Sequence, residues 1–183
     1  MLKKFLKILL TFAVVSYVTV FSGCTENTGN HNGKIVNTKQ DKEKLEEANR
    51  NLVRQEKEFI DDYVKNSGSE FVETGTGLRY HIVSVGDGSA IKTGDIVTME
   101  YETRLLNGDL LYSSDNEGLK VFKVGHGGVE SGLEEAVLYL HHGDEAEVII
   151  PAYLAYGLIG DGNKVPPRSI IVYKLKIIDN QTN

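Results

Sequence analysis

VIIPAYLAYGLIGDGNKVPPRSIIVY, residues Val148–Tyr173, is the stretch that decides the fold. It predicts a β-strand that ends at Pro151, a short turn that carries Tyr156, a glycine-rich loop, and a second strand. Because proline has no amide hydrogen to donate to a sheet, Pro166-Pro167 place the start of that second strand near Ser169. The sequence therefore predicts that two strands joined by a long loop form the C-terminal part of the domain.

Alternation of apolar and polar residues predicts further strands upstream of this stretch. The clearest case places five residues on one face of a half-buried strand: Val97, Met99, Tyr101, Thr103 and Leu105. Asn107-Gly108 follows and is a strong signal for a β-hairpin, with the returning strand at 109–113. Other strands are predicted at 78–85, 119–124, 144–150 and 169–178. The pattern is that of an antiparallel sheet.

One short helix is predicted among these strands. Ser131 and Glu134 stand three residues apart, as in a capping box, and apolar residues recur around them at helical spacing. The face that they form consists of Val129, Leu133, Ala136, Val137 and Leu140. A short helix with five to six antiparallel strands predicts an α+β domain over residues 70–180, in which a twisted sheet wraps around the helix.

A much longer helix is predicted ahead of this domain, over residues 39–68. Its apolar residues form one narrow stripe, interrupted at Gln55 and Glu56: Leu45, Ala48, Leu52, Phe59, Ile60 and Tyr63. Leucine or phenylalanine at every seventh position of this stripe favours pairing of two copies in a homodimer. The interruption equally favours a solvated spacer that packs loosely on the domain.

The N-terminus resembles the signal of a bacterial lipoprotein. A basic start at Met1–Lys4 precedes an apolar run at 8–21, and small residues lead directly to Cys24, the only cysteine. We expect residues 1–23 to be removed, Cys24 to carry lipid, and 24–38 to form a flexible tether. The protein would then be anchored to a bacterial membrane in the cell envelope. An uncleaved anchor helix and a secretory signal with a chance cysteine are the alternatives, although the run is shorter than the ~20 residues that span a bilayer.

Charge and motifs narrow the function classes. Three of the 20 basic residues precede residue 24, which leaves 17 against 26 acidic ones and gives no electrostatic basis for binding nucleic acid. Gly125-His-Gly-Gly128 lacks the lysine of a phosphate loop, and Asp161-Gly-Asn163 lacks the closing glutamate of a calcium loop. The adjacent His141-His142 cannot share a helical face as metal ligands do. We expect no metal, no cofactor and no covalent nucleophile.

Several motifs in a fixed order carry a resemblance to a known family. Ala155-Tyr156-Gly157 is followed by Val165-Pro-Pro167, with Gly125 and the segment Gly132–Val137 upstream. Together they resemble an FKBP-type peptidyl-prolyl cis-trans isomerase over residues 74–179. The tether and helix ahead of the domain resemble a gliding-motility-associated FKBP-type lipoprotein of Bacteroidetes. The resemblance implies non-covalent isomerisation of X-Pro bonds in polypeptide substrates, here exported proteins.

The same resemblance implies the residues of a substrate cleft. Its walls and floor would be Tyr101, Leu111, Phe122, Val129, Leu133, Val165 and Tyr173. The phenol of Tyr156 and the backbone amide of Glu130 would donate hydrogen bonds to substrate carbonyls, and Tyr112 would stand beside them. Without the resemblance, core packing is the simpler interpretation of the aromatic wall residues.

Four of these positions depart from the family pattern. Tyr112 replaces an aspartate, Leu111 a phenylalanine, Leu133 a tryptophan and Glu130 an isoleucine. Loss of the aspartate is the change expected to lower turnover most. The alternative function is therefore a catalytically weak proline-binding or chaperone module of a motility or secretion complex.

Overall fold

The computed structural model of the protein describes residues 39–178. The predicted signal at 1–23, the lipidation site Cys24 and the tether at 24–38 lie outside the described residues, as do the last two residues of the predicted domain. Within 39–178, no helix combines the length and apolar character needed to cross a membrane.

Every strand predicted from the sequence is present, with its ends displaced by at most two residues. In chain order the elements are helix α1 (Lys39–Ser67), strands β1 (Val72–Glu73), β2 (Arg79–Ser84), β3 (Ile96–Leu105) and β4 (Leu110–Ser113), helix α2 (Ser114–Glu117), strand β5 (Lys120–Lys123), helix α3 (Ser131–Val137), strand β6 (Glu145–Ile150), a 3₁₀ helix (Ala152–Leu154) and strand β7 (Ile171–Ile178). The one-turn helix α2 and the two-residue strand β1 were not predicted.

The described strands form one antiparallel sheet of seven, in the order β1-β2-β6-β7-β3-β4, with β5 also paired to β3. Five to six strands were predicted, and the short edge strand β1 exceeds that number. Tyr101 of β3 lies opposite Leu175, and Thr103 lies opposite Tyr173 of β7. Since alternate residues share a face, this register places Tyr101 and Tyr173 on the same side of the sheet.

Helix α3 packs on that inner face of the sheet. The predicted buried residues Leu133, Ala136, Val137 and Leu140 are all inaccessible to solvent. Gly132 allows the close approach, because a Cβ at this position would collide with the side chains of Ile150 and Leu154. A short helix enclosed by a twisted antiparallel sheet is the predicted α+β fold, which is thereby confirmed.

The predicted capping box at the start of α3 is wrong. Ser131 is the first helical residue rather than the cap, and the cap residue Glu130 makes no capping hydrogen bond through its side chain. The Ser131 hydroxyl instead donates to the Leu154 carbonyl at 3.2 Å, and the Glu134 carboxylate accepts from the Gly127 amide at 2.8 Å. Both side chains connect the helix to neighbouring loops.

The second half of α1 packs on the outer face of the sheet. Ile60 is only 2% exposed and lies in a cluster with Ile149, Ile170 and Val172. Tyr63 donates a hydrogen bond to Glu147 at 2.7 Å. The second half of this helix therefore packs on the domain, but through buried contacts and not loosely as the spacer interpretation predicts.

Charged residues strengthen the same contact. The Arg79 guanidinium, which is 5% exposed, pairs with Asp61 of α1 at 2.9 Å and with Glu73 of β1 at 2.8 Å. Lys57 of α1 pairs with Glu73 at 2.9 Å. Because the Arg79 side chain is buried, loss of either acidic partner would leave a shielded charge with fewer hydrogen bonds.

Glu56 explains the interruption of the apolar stripe. Its buried carboxylate accepts a hydrogen bond at 3.1 Å from the amide of Ala152, the first residue of the 3₁₀ helix. Burial raises the pKa of Glu56, while this hydrogen bond and the charge of Arg168 act in the opposite direction. The long helix is thus directly bonded to the turn that leads to Tyr156.

We predict that Ile60→Ala destabilises the protein by about 2–4 kcal/mol, because it removes packed methyl groups from between α1 and the sheet. Val83 of β2 is 61% exposed. Val83→Ala is the matched control and should change the free energy of unfolding by less than about 0.5 kcal/mol. Urea denaturation measures both, and equal small effects would show that α1 contributes no packing to the domain.

Candidate functional site

The predicted cleft residues converge between the inner face of the sheet, α3 and the long loop before β7. Six of the seven predicted wall and floor residues are at most 8% exposed: Tyr101, Leu111, Phe122, Leu133, Val165 and Tyr173. Val129, Tyr112 and Tyr156 are half-buried and pack against the same cluster. Glu130 joins them through its carboxylate, which is bonded to two of the phenols. The structure therefore brings all ten predicted site residues together.

The aromatic walls belong to the core and also face polar groups. The rings of Tyr101 and Tyr173 lie 6.1 Å apart, and the ammonium of Lys120 lies 4.9 Å from the first ring centroid and 5.7 Å from the second. Such distances allow cation–π attraction. Core packing accounts for the burial of these rings, whereas it does not account for the charged groups arranged beside them.

The carboxylate of Glu130 lies between two tyrosine phenols. Its Oε1 accepts a hydrogen bond from Tyr156 and another from Tyr173, the latter at 3.0 Å. Its Oε2 is shielded from solvent and has no hydrogen-bond partner among the described residues. Burial raises the pKa of both phenols well above the ordinary tyrosine value, and the negative charge of Glu130 raises them further.

This geometry changes what the Tyr156 phenol has to do. The family resemblance assigns its hydrogen to a substrate carbonyl, but in the structure that hydrogen is donated to Glu130. An entering carbonyl must therefore compete with a carboxylate, which is the stronger acceptor. An isoleucine, the usual residue of the family at this position, could not engage the phenol in this way.

Tyr112 binds a second carboxylate at the edge of the cleft. Its phenol donates to Asp161, and the Asn163 side-chain amide donates to the same phenol at 3.3 Å. Asp161 also accepts the backbone amides of Asn163 and Val165, each at 2.8 Å. Lys164 lies 4.6 Å above the Tyr112 ring. Where the family has an aspartate, this chain has a phenol that holds an aspartate of the loop.

The pKa values of this pair follow from the hydrogen bond between them. The bond to Asp161 is the main cause that raises the pKa of Tyr112, with a smaller contribution from burial. Burial acts to raise the pKa of Asp161, but the hydrogen bonds from Tyr112, Asn163 and Val165 outweigh it and lower that pKa. The phenol therefore stays protonated and the carboxylate stays charged at neutral pH.

Asp161, Lys120 and Lys164 were not predicted as site residues. Lys120 had a usable signal, because it stands two residues before Phe122 on β5 and shares its face. For Asp161 the sequence indicates only a turn, since its contact with Tyr112 spans 49 residues of chain. Within 39–178, no group of three or more histidine, cysteine or acidic side chains is placed to hold a metal ion.

The sequence model of the FKBP-type peptidyl-prolyl cis-trans isomerases matches residues 88–178, a segment that includes all ten cleft residues. The chain belongs to this family. Its relatives include the probable FkpA isomerase of Neisseria meningitidis, 37% identical over 116 residues, or 62% of this chain and 42% of that protein. The outer membrane protein MIP of Legionella longbeachae is 33% identical over 104 residues, or 56% of this chain and 44% of that protein.

The fold agrees with solved structures of the family. The crystal structure of FkpA from Escherichia coli matches with a TM-score of 0.61 and 28% sequence identity, over 76% of this chain and 63% of that one. The chain spans less than half the length of the two curated relatives above. The likeness therefore concerns the FKBP-type domain and not the whole of those proteins.

Proposed function

We propose that the protein is a peptidyl-prolyl cis-trans isomerase that acts on X-Pro bonds of exported proteins. The observation that carries the proposal is the convergence of the ten family positions in one largely apolar cluster that also holds the Tyr156 phenol. Membership of the family supports the reaction, and the aromatic walls fit a proline ring.

The chemistry needs no nucleophile. Rotation about a peptide bond has a barrier of ~18–20 kcal/mol, because twisting removes the resonance that makes the amide planar. The planar amide has the larger charge separation, so apolar walls that exclude water favour the twisted form relative to the ground state. The phenol of Tyr156 and the amide of Glu130 would hold the flanking carbonyls while the bond turns.

We expect turnover to be slow. A preorganised polar group in an active site contributes about 3 kcal/mol, or roughly a hundredfold in rate. Here the family aspartate is displaced from the strand to Asp161 of the loop, and the Tyr156 phenol is engaged by Glu130. Both features support a rate above background but below that of a typical family member.

A protease-coupled assay with a Leu-Pro peptide tests the proposal. Tyr156→Phe should lower kcat/KM about tenfold, because a substrate carbonyl loses a hydrogen bond worth about 1–1.5 kcal/mol. Tyr153→Phe is the matched control, since that phenol donates to the Thr76 carbonyl instead. Its kcat/KM should equal that of the wild type.

Tyr112→Asp restores the aspartate of the family pattern and should raise kcat/KM. Because two carboxylates would then face each other, the variant is also made together with Asp161→Asn. If neither the wild type nor these variants accelerate isomerisation, the protein is not an isomerase.

The second candidate function, a proline-binding or chaperone module of a motility or secretion complex, would then take its place. One observation favours it: Leu158 and Ile159, which follow the cleft residue Tyr156 after Gly157, are 69% and 83% exposed. Neighbouring apolar side chains on an exposed loop can hold an unfolded polypeptide.

We propose further that Cys24 carries lipid and tethers the protein to a membrane of the cell envelope. The order of basic, apolar and small residues before the cysteine supports this, as does a relative named as an outer membrane protein. One acyl chain binds only marginally, so firm anchoring requires more than one. Cys24→Ser should therefore release the protein from membranes and change its mature mass. Unchanged membrane partition and mass would refute the tether.

We also propose that α1 pairs two copies of the protein. Leu45 and Phe59, two heptads apart, are 53% and 60% exposed on a helix whose Ile60 is already used by the domain. Leu45→Glu with Phe59→Glu should convert a dimer to a monomer in sedimentation, while Val83→Glu, at a residue 61% exposed on β2, should not. A monomeric wild type would refute pairing.

A further inference from the structure

Glu130 brings a carboxylate into the cluster of cleft residues, beside the phenols of Tyr156 and Tyr173. The two oxygens of this carboxylate differ in their hydrogen bonds. Oε1 accepts from two phenols, while Oε2 is shielded from water and has no donor among the described residues. A shielded acceptor without a donor is costly, and more so when it belongs to a charged group. The site is therefore incomplete on the side of Oε2.

The nearby cations are held in other contacts. Lys164 pairs with Glu117 at 3.2 Å and lies over the Tyr112 ring. Lys120 lies over the rings of Tyr101 and Tyr173. A substrate carbonyl cannot complete Glu130 either, since it brings an acceptor and not a donor. The group that fits Oε2 is a hydrogen-bond donor, and the strongest such donors are the ammonium of lysine and the guanidinium of arginine.

We infer that Glu130 selects proline segments that carry a lysine or arginine next to the proline, with the cation bound by the carboxylate. This inference rests on the proposed isomerase function and names the substrate class of the same cleft. A cation bound to the Glu130 carboxylate also weakens the hydrogen bond that this carboxylate accepts from the Tyr156 phenol. The phenol then turns to a carbonyl of the same peptide more readily than it does with an uncharged peptide, so the cation binds Glu130 and also assists release of the donor.

A matched series of peptides tests the selection. One host peptide is made with lysine, arginine, glutamine, leucine or glutamate before the proline, and a second set places the same residues after it. For the wild type, kcat/KM for the better lysine peptide should exceed that of its glutamine counterpart at least tenfold, and the glutamate peptide should be slowest. In Glu130→Gln and in Glu130→Ile, the lysine-to-glutamine ratio should fall to about twofold or less, because the charge alone separates these peptides.

Glu117→Gln is the control for general attraction between the acidic protein and a cationic peptide. It removes one negative charge from a side chain that is 46% exposed and bonded to Lys164, not to a cleft phenol. The lysine-to-glutamine ratio should stay at its wild-type value in this variant. A ratio that falls in Glu117→Gln and persists in both Glu130 variants would overturn the inference, because selection would then come from the surface field.

The outcomes separate this inference from the proposed function. If the wild type isomerises lysine and glutamine peptides equally well, the enzyme is an isomerase and the inference is wrong. If it accelerates none of the peptides, the isomerase proposal fails, and calorimetric binding of the same series decides the selection. Tighter binding of the lysine peptide by the wild type and not by Glu130→Gln supports the inference, and equal binding overturns it.

Discussion

Strand β7 is the constraint on which the rest of the structure depends. It pairs with β3 along its whole length and with β6 over six residues, so both of its edges are occupied. Tyr173 on the inner face is one of the cleft residues, while Val172 on the outer face packs with Ile60 of α1. One strand thus fixes the aromatic wall of the site and the position of the long helix, and a register shift in it would exchange these two faces.

The fold was largely predictable because its strands obey period two and its turns use residues with fixed backbone preferences. The docking of α1 was left open, although two local signals for it exist. Ile170–Tyr173 is a continuous apolar run, which is typical of a strand buried on both faces rather than on one. Glu56 looked like a defect in an apolar stripe, but it bonds the amide of Ala152. A polar residue that interrupts the apolar stripe of a helix can therefore be buried and bond the backbone of a neighbouring element, as well as face solvent.

The positions of the cleft residues could be predicted from motifs, whereas the bonds among them could not. Sequence identifies Glu130 and Tyr112 as departures from the family pattern, yet it does not say where their polar ends point. Glu130 turns inward because two phenols offset part of the cost of shielding its charge. Tyr112 and Asp161 are 49 residues apart in the chain, and the spacing of apolar residues in a sequence does not predict a contact over such a distance. Side-chain partners distant in sequence are decided by packing and not by local pattern.

The departures at Tyr112 and Glu130 each pair a tyrosine phenol with a carboxylate, that of Asp161 or that of Glu130. The site therefore keeps negative charge, but at other positions than the family aspartate. This matters for catalysis because the oxygen of a planar amide carries more negative charge than that of a twisted one. A carboxylate near that oxygen repels the ground state more than the transition state, which weakens binding and lowers the barrier at the same time. Weaker binding lowers kcat/KM and faster rotation raises it, so the two effects oppose each other in that ratio. Measured separately, KM reports the weaker binding and kcat reports the faster rotation. Relative to isoleucine, the charge of Glu130 therefore weakens substrate binding, and its effect on the amide offsets part of the rate that is lost when Glu130 engages the Tyr156 phenol.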